Sequence, residues 1–522
     1  MRILIFHGYL LRGTGSNVYN ASLAAALVGL GHEVHLLCQD RDPMSLPFVD
    51  AAGTWEGGRL TLEAASPTPR CTVYRPDIAG LLPVYVADRY AGVEARPFPE
   101  LDDEELARYL ERNVAAVQDV VARAAPDVAL ANHLIAGPAI LRRALSGSGV
   151  PYAVKVHGSA LEYTVKAHPE RFLPLAREGL DAARAVLVGS RHTAESLWAA
   201  MGDPGLPART RLGPPGVDVA AFAPRPQVAA AAGLDRLVER LAAAPPPSAS
   251  SAGSVFSRDP REAARALGTL RLGRDLLVAF VGKLLAAKGV DLLVGAWPLV
   301  LQRVGAARLV IVGFGDFEET CRRLVSALAA GDLPTVRELA ATGGSAAAAD
   351  GGRLGYLDAF LDSLDADPDR RDAYLAAARG LEAKVVFAGR LEHDELAELL
   401  PVCEALVVPS TFPEAFGMVA AEAAAAGVWP ISAEHSGLAE VSRVLADAVP
   451  GPVRSWLSFP LGDGAIPALA ARVVAWLVAP EPLREVARHA AARVVRERYS
   501  WERVGRGVIA AAQGRLDELG EP

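Results

Sequence analysis

Cysteine is scarce in this chain: Cys38, Cys71, Cys321 and Cys403 are the four among 522 residues, and no CxxC or CxxxC spacing joins any of them. The sequence therefore offers no zinc or redox motif, and isolated thiols fit a reducing cytoplasm. Positive charge is also in short supply. Lys and Arg number 53 against 61 Asp and Glu, a net charge of -8 that argues against a nucleic-acid partner. Long hydrophobic runs are missing too. Hydrophobic residues make up 51% of the chain, but Ala supplies much of that and no run of about 18 apolar residues is present, so no transmembrane segment is expected. The opening MRILIFHGYLL has the short apolar run of a signal peptide without a small-residue cleavage site, and reads as a first core strand. No convincing DxD-type acidic cluster that could hold a divalent ion stands at a strand end.

What is present is alternation. Short apolar runs alternate with amphipathic segments, the rhythm of parallel sheets covered by helices, and the fold class is α/β. In the first half RILIF (Arg2 to Phe6), EVHLLC (Glu33 to Cys38), DVALA (Asp127 to Ala131), YAVKV (Tyr152 to Val156) and AVLVG (Ala185 to Gly189) read as buried strands. In the second, LLVAFVG (Leu276 to Gly282), RLVIVG (Arg308 to Gly313), KVVFAG (Lys384 to Gly389), ALVVP (Ala405 to Pro409) and VWPIS (Val428 to Ser432) do the same. A chain of this length exceeds one core, and the pattern divides it at residues 1–215 and 216–497, with a C-terminal helix over 498–522 crossing back to the first domain. Two stretches interrupt the second domain. Residues 226–272, containing APPPSASSAGS, read as a loop, and residues 325–381 read as a helical insertion.

Several residues at strand ends are candidates for chemistry. Gly13 and Gly15 in RGTGSN lie between the first strand and a helix, where free backbone N–H groups suit a phosphate, or else a tight turn needs them. Val18 replaces the third glycine of GxGxxG, so the dinucleotide fingerprint is incomplete. Lys283 ends a strand and Lys288 follows five residues on, either a diphosphate site or two solvated lysines. The stretch PEAFGMVAAEAAAAG sets Glu414 and Glu422 eight positions apart among small apolar residues. Glu414 falls on a loop at a strand's carboxyl end, where it can accept from ligand hydroxyls. Glu422 falls inside a helix and either faces solvent or meets vicinal hydroxyls such as those of a ribose.

These motifs, in the order GKLLAAKG, LVIVGFG, VVFAGRL, LVVPS and PEAFGMVAAEAAAAG, resemble the donor domain of glycosyltransferase family 4. GHEVHLL, PDVALANH, VHGSALE, LVGSRHTAESL and PPGVDVAAFAP resemble its acceptor domain and hinge. The resemblance implies a GT-B fold: two Rossmann-like doubly wound parallel-sheet domains facing across a cleft, the first binding acceptor and the second a nucleotide-sugar donor. It implies that Glu414 holds a donor-sugar hydroxyl, that Phe416, Gly417 and Met418 meet sugar and phosphate through their backbone, and that Glu422 binds the ribose. Lys283 and Lys288 would hold the diphosphate, with Gly15 nearby, and His157 would stand beside the reacting carbon. Arg390 has two readings, contact with phosphate or base and a salt bridge to the following helix. The sequence departs from the family pattern at Lys283, commonly Arg, at Pro430 in GVWPIS, and at the GTG of the first glycine loop.

The expected activity is retaining transfer of a glycosyl group from a nucleoside diphosphate sugar, without metal or cofactor, to a small molecule, a lipid headgroup or a polysaccharide. The expected location is the cytoplasm, and peripheral membrane contact stays open. Two other classes compete: an inactive nucleotide-sugar-binding or scaffolding protein, and a dinucleotide-dependent oxidoreductase, which the incomplete glycine fingerprint disfavours.

Overall fold

The computed structural model describes residues 1–13, 15–85, 94–245, 258–343 and 352–522. The chain divides into two compact units, Met1–Gly216 with Tyr499–Pro522, and Val217–Arg498.

The first unit carries eleven described strands: β1 (Arg2–Phe6), β2 (Glu33–Leu37), β3 (Ala51–Glu56), β4 (Arg59–Ala64), β5 (Cys71–Arg75), β6 (Leu81–Val84), β7 (Glu94–Pro97), β8 (Val128–Asn132), β9 (Tyr152–Lys155), β10 (Ala185–Val188) and β11 (Thr210–Leu212). Nine of them form one sheet in the order β11-β10-β9-β8-β1-β2-β5-β3-β4, parallel except for the antiparallel pair β3 and β4 at one edge. Because side chains alternate across a strand, β1 sends Ile3 and Ile5 into one core and Leu4 and Phe6 into the other. The first of these cores is closed by the helix Gly15–Gly29, through Tyr19, Leu23 and Leu27, and by the C-terminal helix Trp501–Ala512. There the Trp501 ring meets Tyr19 edge-on, with centroids 5.4 Å apart.

Strands β3 to β7 and β11 add to the five that the apolar runs of this half predict. β3 and β4 are joined by Gly57 and Gly58, both at positive φ, a turn signal that the sequence carries plainly.

The second unit holds β12 (Leu276–Val281), β13 (Ala307–Val312), β14 (Val385–Gly389), β15 (Ala405–Val408), β16 (Trp429–Ala433) and the two-residue β17 (Ser458–Phe459). They form one fully parallel sheet in the order β14-β13-β12-β15-β16-β17. The chain runs outward from β12 in one direction and outward from β15 in the other. β12 and β15 therefore flank the topological switch point, the place in a doubly wound sheet where ligands enter. In the first unit the switch lies between β1 and β8 by the same reasoning.

The segment read as a loop over 226–272 is largely helical: Gln227–Ala243 and Pro260–Leu267 are helices that bury Leu234, Leu237, Leu241 and Leu267. Apolar residues at three- and four-residue spacing outweigh the Pro- and Ser-rich composition of the tract between them, most of which, 246–257, lies outside the described residues. Between β13 and β14 stand the helices Glu318–Ala330, Leu333–Thr342, Gly355–Asp365 and Pro368–Ala378. The insertion docks on the helix Val290–Leu301, where the Tyr374 hydroxyl donates to the Gly295 carbonyl at 2.9 Å. The GGSAAAADGG tract falls mostly in 344–351, outside the described residues. No single helix among the described residues is long and apolar enough to cross a membrane.

The loops after β12 and β15 touch through backbone. Gly289 has φ +68, and a Cβ there would sit 2.0 Å from the Pro409 carbonyl oxygen. Any side chain at 289 must push the two loops apart. Gly289→Ala is expected to cost about 3 kcal/mol or more, the sum of left-handed strain and overpacking. A clearly lowered calorimetric melting transition checks this; an unchanged one counts against the close approach.

Candidate functional site

At the switch point of the second unit, the loop after β12 brings Lys283 and Lys288, and the loop after β15 brings Ser410 and Glu414. The ammonium of Lys288 donates to Glu414 Oε1, and the Ser410 hydroxyl donates to the same oxygen at 2.6 Å. Burial alone would push the Glu414 carboxyl up, but the charge of Lys288 and the hydrogen bonds from Lys288 and Ser410 outweigh it and hold the group below its ordinary range. The Glu414 N–H donates to Ser436 Oγ at 2.9 Å, and the Gly437 N–H donates to the Glu414 carbonyl at 3.0 Å. Ser436, at φ 50, lies 3.1 Å through its hydroxyl from His435 Nδ1, and His435 Nε2 donates to the Ser410 carbonyl at 2.7 Å. Glu414 is thus held on both its side chain and its main chain.

The helix Met418–Ala425 starts immediately beyond. Gly417 caps it at φ 114, a conformation that suits glycine, and a Cβ there would meet Leu438 Cδ2 at 2.7 Å. Phe416 is buried and Met418 is the first helical residue. Glu422, about one turn into this helix, is 3% exposed, which removes the solvent-facing reading. Its Oε1 lies 3.3 Å from His393 Nε2, the one ion-pair partner recorded for it among the described residues. Burial raises the Glu422 carboxyl above its usual range, with His393 opposing more weakly. The His393 ring also meets Phe222 edge-on at 4.9 Å.

Lys283 and Arg390 gather around one aromatic ring. The Lys283 ammonium is 5.9 Å and the Arg390 guanidinium 5.7 Å from the centroid of Phe314, which follows β13. Arg390 is also paired with Glu392 at 2.9 Å, the salt bridge that was one of its two readings. Lys283, Lys288, Arg390, Glu414, Phe416, Gly417, Met418 and Glu422 all belong to the second unit, whereas Gly15 and His157 belong to the first. Gly15 opens the helix Gly15–Gly29 after β1.

His157 follows β9 in a polar cluster at the carboxyl ends of the first unit's central strands. Its Nε2 is 2.8 Å from Asn132 Oδ1, and its ring packs on Tyr19 at 5.0 Å and on His133 at 4.9 Å. Burial, and then the neighbouring His133, Lys155 and His7, hold His157 well below the usual imidazole range. Burial lowers His7 to about 4, His133 well below its usual range, and Lys155 to about 7. Lys155 donates to the Gly213 carbonyl at 2.6 Å. Sequence reasoning missed Ser410, His435 and Ser436, and in this cluster His7, Asn17, Asn20, Asn132 and His133. The visible signal was the abrupt change from apolar to polar at the ends of RILIFH and VALANH.

The fold agrees with the comparisons. Residues 14–216 match the family described as Glycosyl transferase 4-like domain, and residues 369–449 match Glycosyl transferases group 1. The chain belongs to the family 4-like glycosyltransferases of GT-B fold. An uncharacterized glycosyltransferase of Methanocaldococcus jannaschii is 25% identical over 247 residues, so the match spans about half the length of that curated relative, 47% of it and 47% of this chain. Sucrose-phosphate synthase from Thermosynechococcus elongatus superposes with a TM-score of 0.57 at 17% identity, covering 99% of each chain. HepE from Anabaena, solved in complex with UDP and glucose, superposes with a TM-score of 0.56 at 15% identity, covering 98% of this chain and 99% of its own.

The two carboxylates predict opposite stability effects. Glu414 has a lowered folded pKa, so its contribution is present above the unfolded carboxylate pKa and is lost as pH falls through the folded value. Lys288→Met removes the cation, and should cost about 2 kcal/mol near neutral pH, with the deficit closing in acid. Glu422 has a raised folded pKa, so ionising it destabilises the fold as pH rises through that value. Glu422→Gln should therefore raise the melting temperature of the ligand-free protein at pH 8 while changing it little at pH 4. Thermal unfolding scanned over pH measures both, and parallel pH profiles for the two variants would refute the assignment.

Proposed function

We propose that this chain is a retaining glycosyltransferase that moves a glycosyl group from a nucleoside diphosphate sugar to a nucleophilic hydroxyl. The observation that carries the reading is the pairing, at one switch point, of a cation-neutralised Glu414 with a buried Glu422 about one turn into the following helix and lysines on the facing loop. The two acids do different work. Glu414, kept ionised, accepts hydrogen bonds from hydroxyls of the donor sugar. Glu422 accepts from the vicinal hydroxyls of the nucleotide ribose, which supply the donors its burial otherwise denies it.

Departure of the nucleoside diphosphate builds negative charge on phosphate oxygens. Lys283 and Lys288, with free N–H groups at the start of the helix Met418–Ala425, stabilise that charge, so the reaction needs no metal ion and no cofactor. The backbone from Phe416 to Met418 meets sugar and phosphate, Gly15 lies on the phosphate side, and Arg390 contacts phosphate or base once its pairing with Glu392 loosens. His157 stands beside the reacting carbon. The second unit then binds donor, and the first binds an acceptor carried by a small molecule, a lipid headgroup or a glycan. Four buried free cysteines favour work in the cytoplasm.

UDP-glucose is the first donor to try, because the similar HepE was solved with UDP and glucose. Release of nucleoside diphosphate in the presence of acceptor mixtures, with the anomeric configuration of the product read by proton NMR, tests the activity and its stereochemistry. Glu414→Gln should lower turnover by about 100-fold or more while leaving the fold intact. Full turnover in that variant rejects its role. Nucleotide-sugar binding without nucleoside diphosphate release would instead identify an inactive binding protein.

A further inference from the structure

The polar cluster at the first unit's switch point is a directed chain whose hydrogen-bond polarity is determined at both ends. A side-chain amide can offer either its oxygen or its nitrogen, but a main-chain carbonyl only accepts. Asn132 Nδ2 lies 3.2 Å from the Phe6 carbonyl and 2.8 Å from Asn20 Oδ1, so nitrogen faces that side and Oδ1 faces His157. Asn20 Nδ2 lies 2.9 Å from the Ser16 carbonyl and 3.0 Å from His7 Nδ1, so it donates to that ring nitrogen. Asn17 Nδ2 donates to the Arg12 carbonyl at 2.7 Å, which leaves Asn17 Oδ1 to accept from His7 Nε2 at 2.9 Å. Every amide orientation follows from the carbonyls of Phe6, Ser16 and Arg12, and the two imidazoles have no choice of tautomer.

We propose that Asn132 is a positioning residue that holds His157 as the Nε2–H tautomer, with the Asn17, His7 and Asn20 side chains bracing Asn132 in turn. Nδ1 of His157 then carries a lone pair, and the ring accepts a hydrogen bond from a bound hydroxyl and supplies no proton. The inference deepens the proposed transferase reading, on which the part His157 plays in turnover rests. Burial, and then His133 at the end of β8, Lys155 on its own strand and His7 after β1, keep the ring uncharged. The other groups that face it are Tyr19 on the helix Gly15–Gly29 and Asn132 at the end of β8. A carboxylate at 132 would accept from Nε2–H equally well, but it would lose both donations to Phe6 and Asn20 and would favour the imidazolium. An amide serves all three contacts at once.

Nitrogen-15 NMR of the full-length, ligand-free protein, with His157 assigned through His157→Gln, reads the tautomer directly. The expected spectrum has a protonated Nε2 and an unprotonated Nδ1 at neutral pH, and Asn132→Leu should turn this into a mixture of tautomers. With UDP-glucose and a working acceptor, Asn132→Leu should lower kcat by about 10-fold or more with the donor KM nearly unchanged. A wild-type spectrum showing Nδ1–H, or a charged ring at neutral pH, overturns the proposal without any variant. So does an Asn132→Leu protein that keeps a pure Nε2–H ring. If no nucleotide sugar is consumed and yet the tautomer depends on Asn132, the positioning assignment is supported and the transferase reading falls.

Discussion

The second unit turns on a single charge pair. Glu414 sits in surroundings that disfavour its ionised form, and Lys288, 126 residues earlier in the chain, makes that form the stable one. The pair ties the loop after β12 to the loop after β15, and the backbone closes the same seam, with the Thr411 N–H donating to the Ala287 carbonyl at 2.9 Å and Gly289 pressed against Pro409. A charge held this way is an acceptor ready for hydroxyl groups before any ligand arrives, which is the preorganisation that electrostatic catalysis needs. Glu422 shows the complement: buried with one partially exposed imidazole beside it, its carboxylate is under-stabilised, the state from which the proposed ribose contact would relieve it.

The first unit handles polarity by a different route. Its switch point gathers His7, Asn20, Asn132, His133 and His157 where apolar strands end, and burial holds the imidazoles neutral. Neutral groups in low dielectric depend on hydrogen bonds for their orientation, and here main-chain carbonyls supply the fixed reference. One unit thus stabilises charge with an opposite charge, and the other excludes charge and orients dipoles. The contrast supports the proposed reading, in which the second unit meets a diphosphate and the first meets hydroxyls.

Much of this was legible in the chain itself. The alternation of apolar runs and amphipathic segments marked most central strands, because a strand covered on both faces must be apolar at consecutive positions. The Glu-x7-Glu stretch and the two lysines were visible as charged residues in oily surroundings. The edge hairpin of β3 and β4 was less legible, since exposed strands carry mixed residues, and composition misled over 226–272, where Leu spacing at Leu234, Leu237 and Leu241 outweighed the flanking Pro and Ser. His435, Ser436 and the asparagines of the first unit look like ordinary polar residues until the sheet places them.

By itself the sequence determined two parallel-sheet units, their strand ends and the residue types available there, since burial and periodicity are local properties of the chain. Only the tertiary structure decided which of those residues meet: that Lys288 reaches Glu414, that Glu422 is buried on His393, and that Asn132 faces His157. Parallel strands are neighbours through long crossovers, so the contacts at their carboxyl edges join residues tens to more than a hundred positions apart, and no local pattern encodes them.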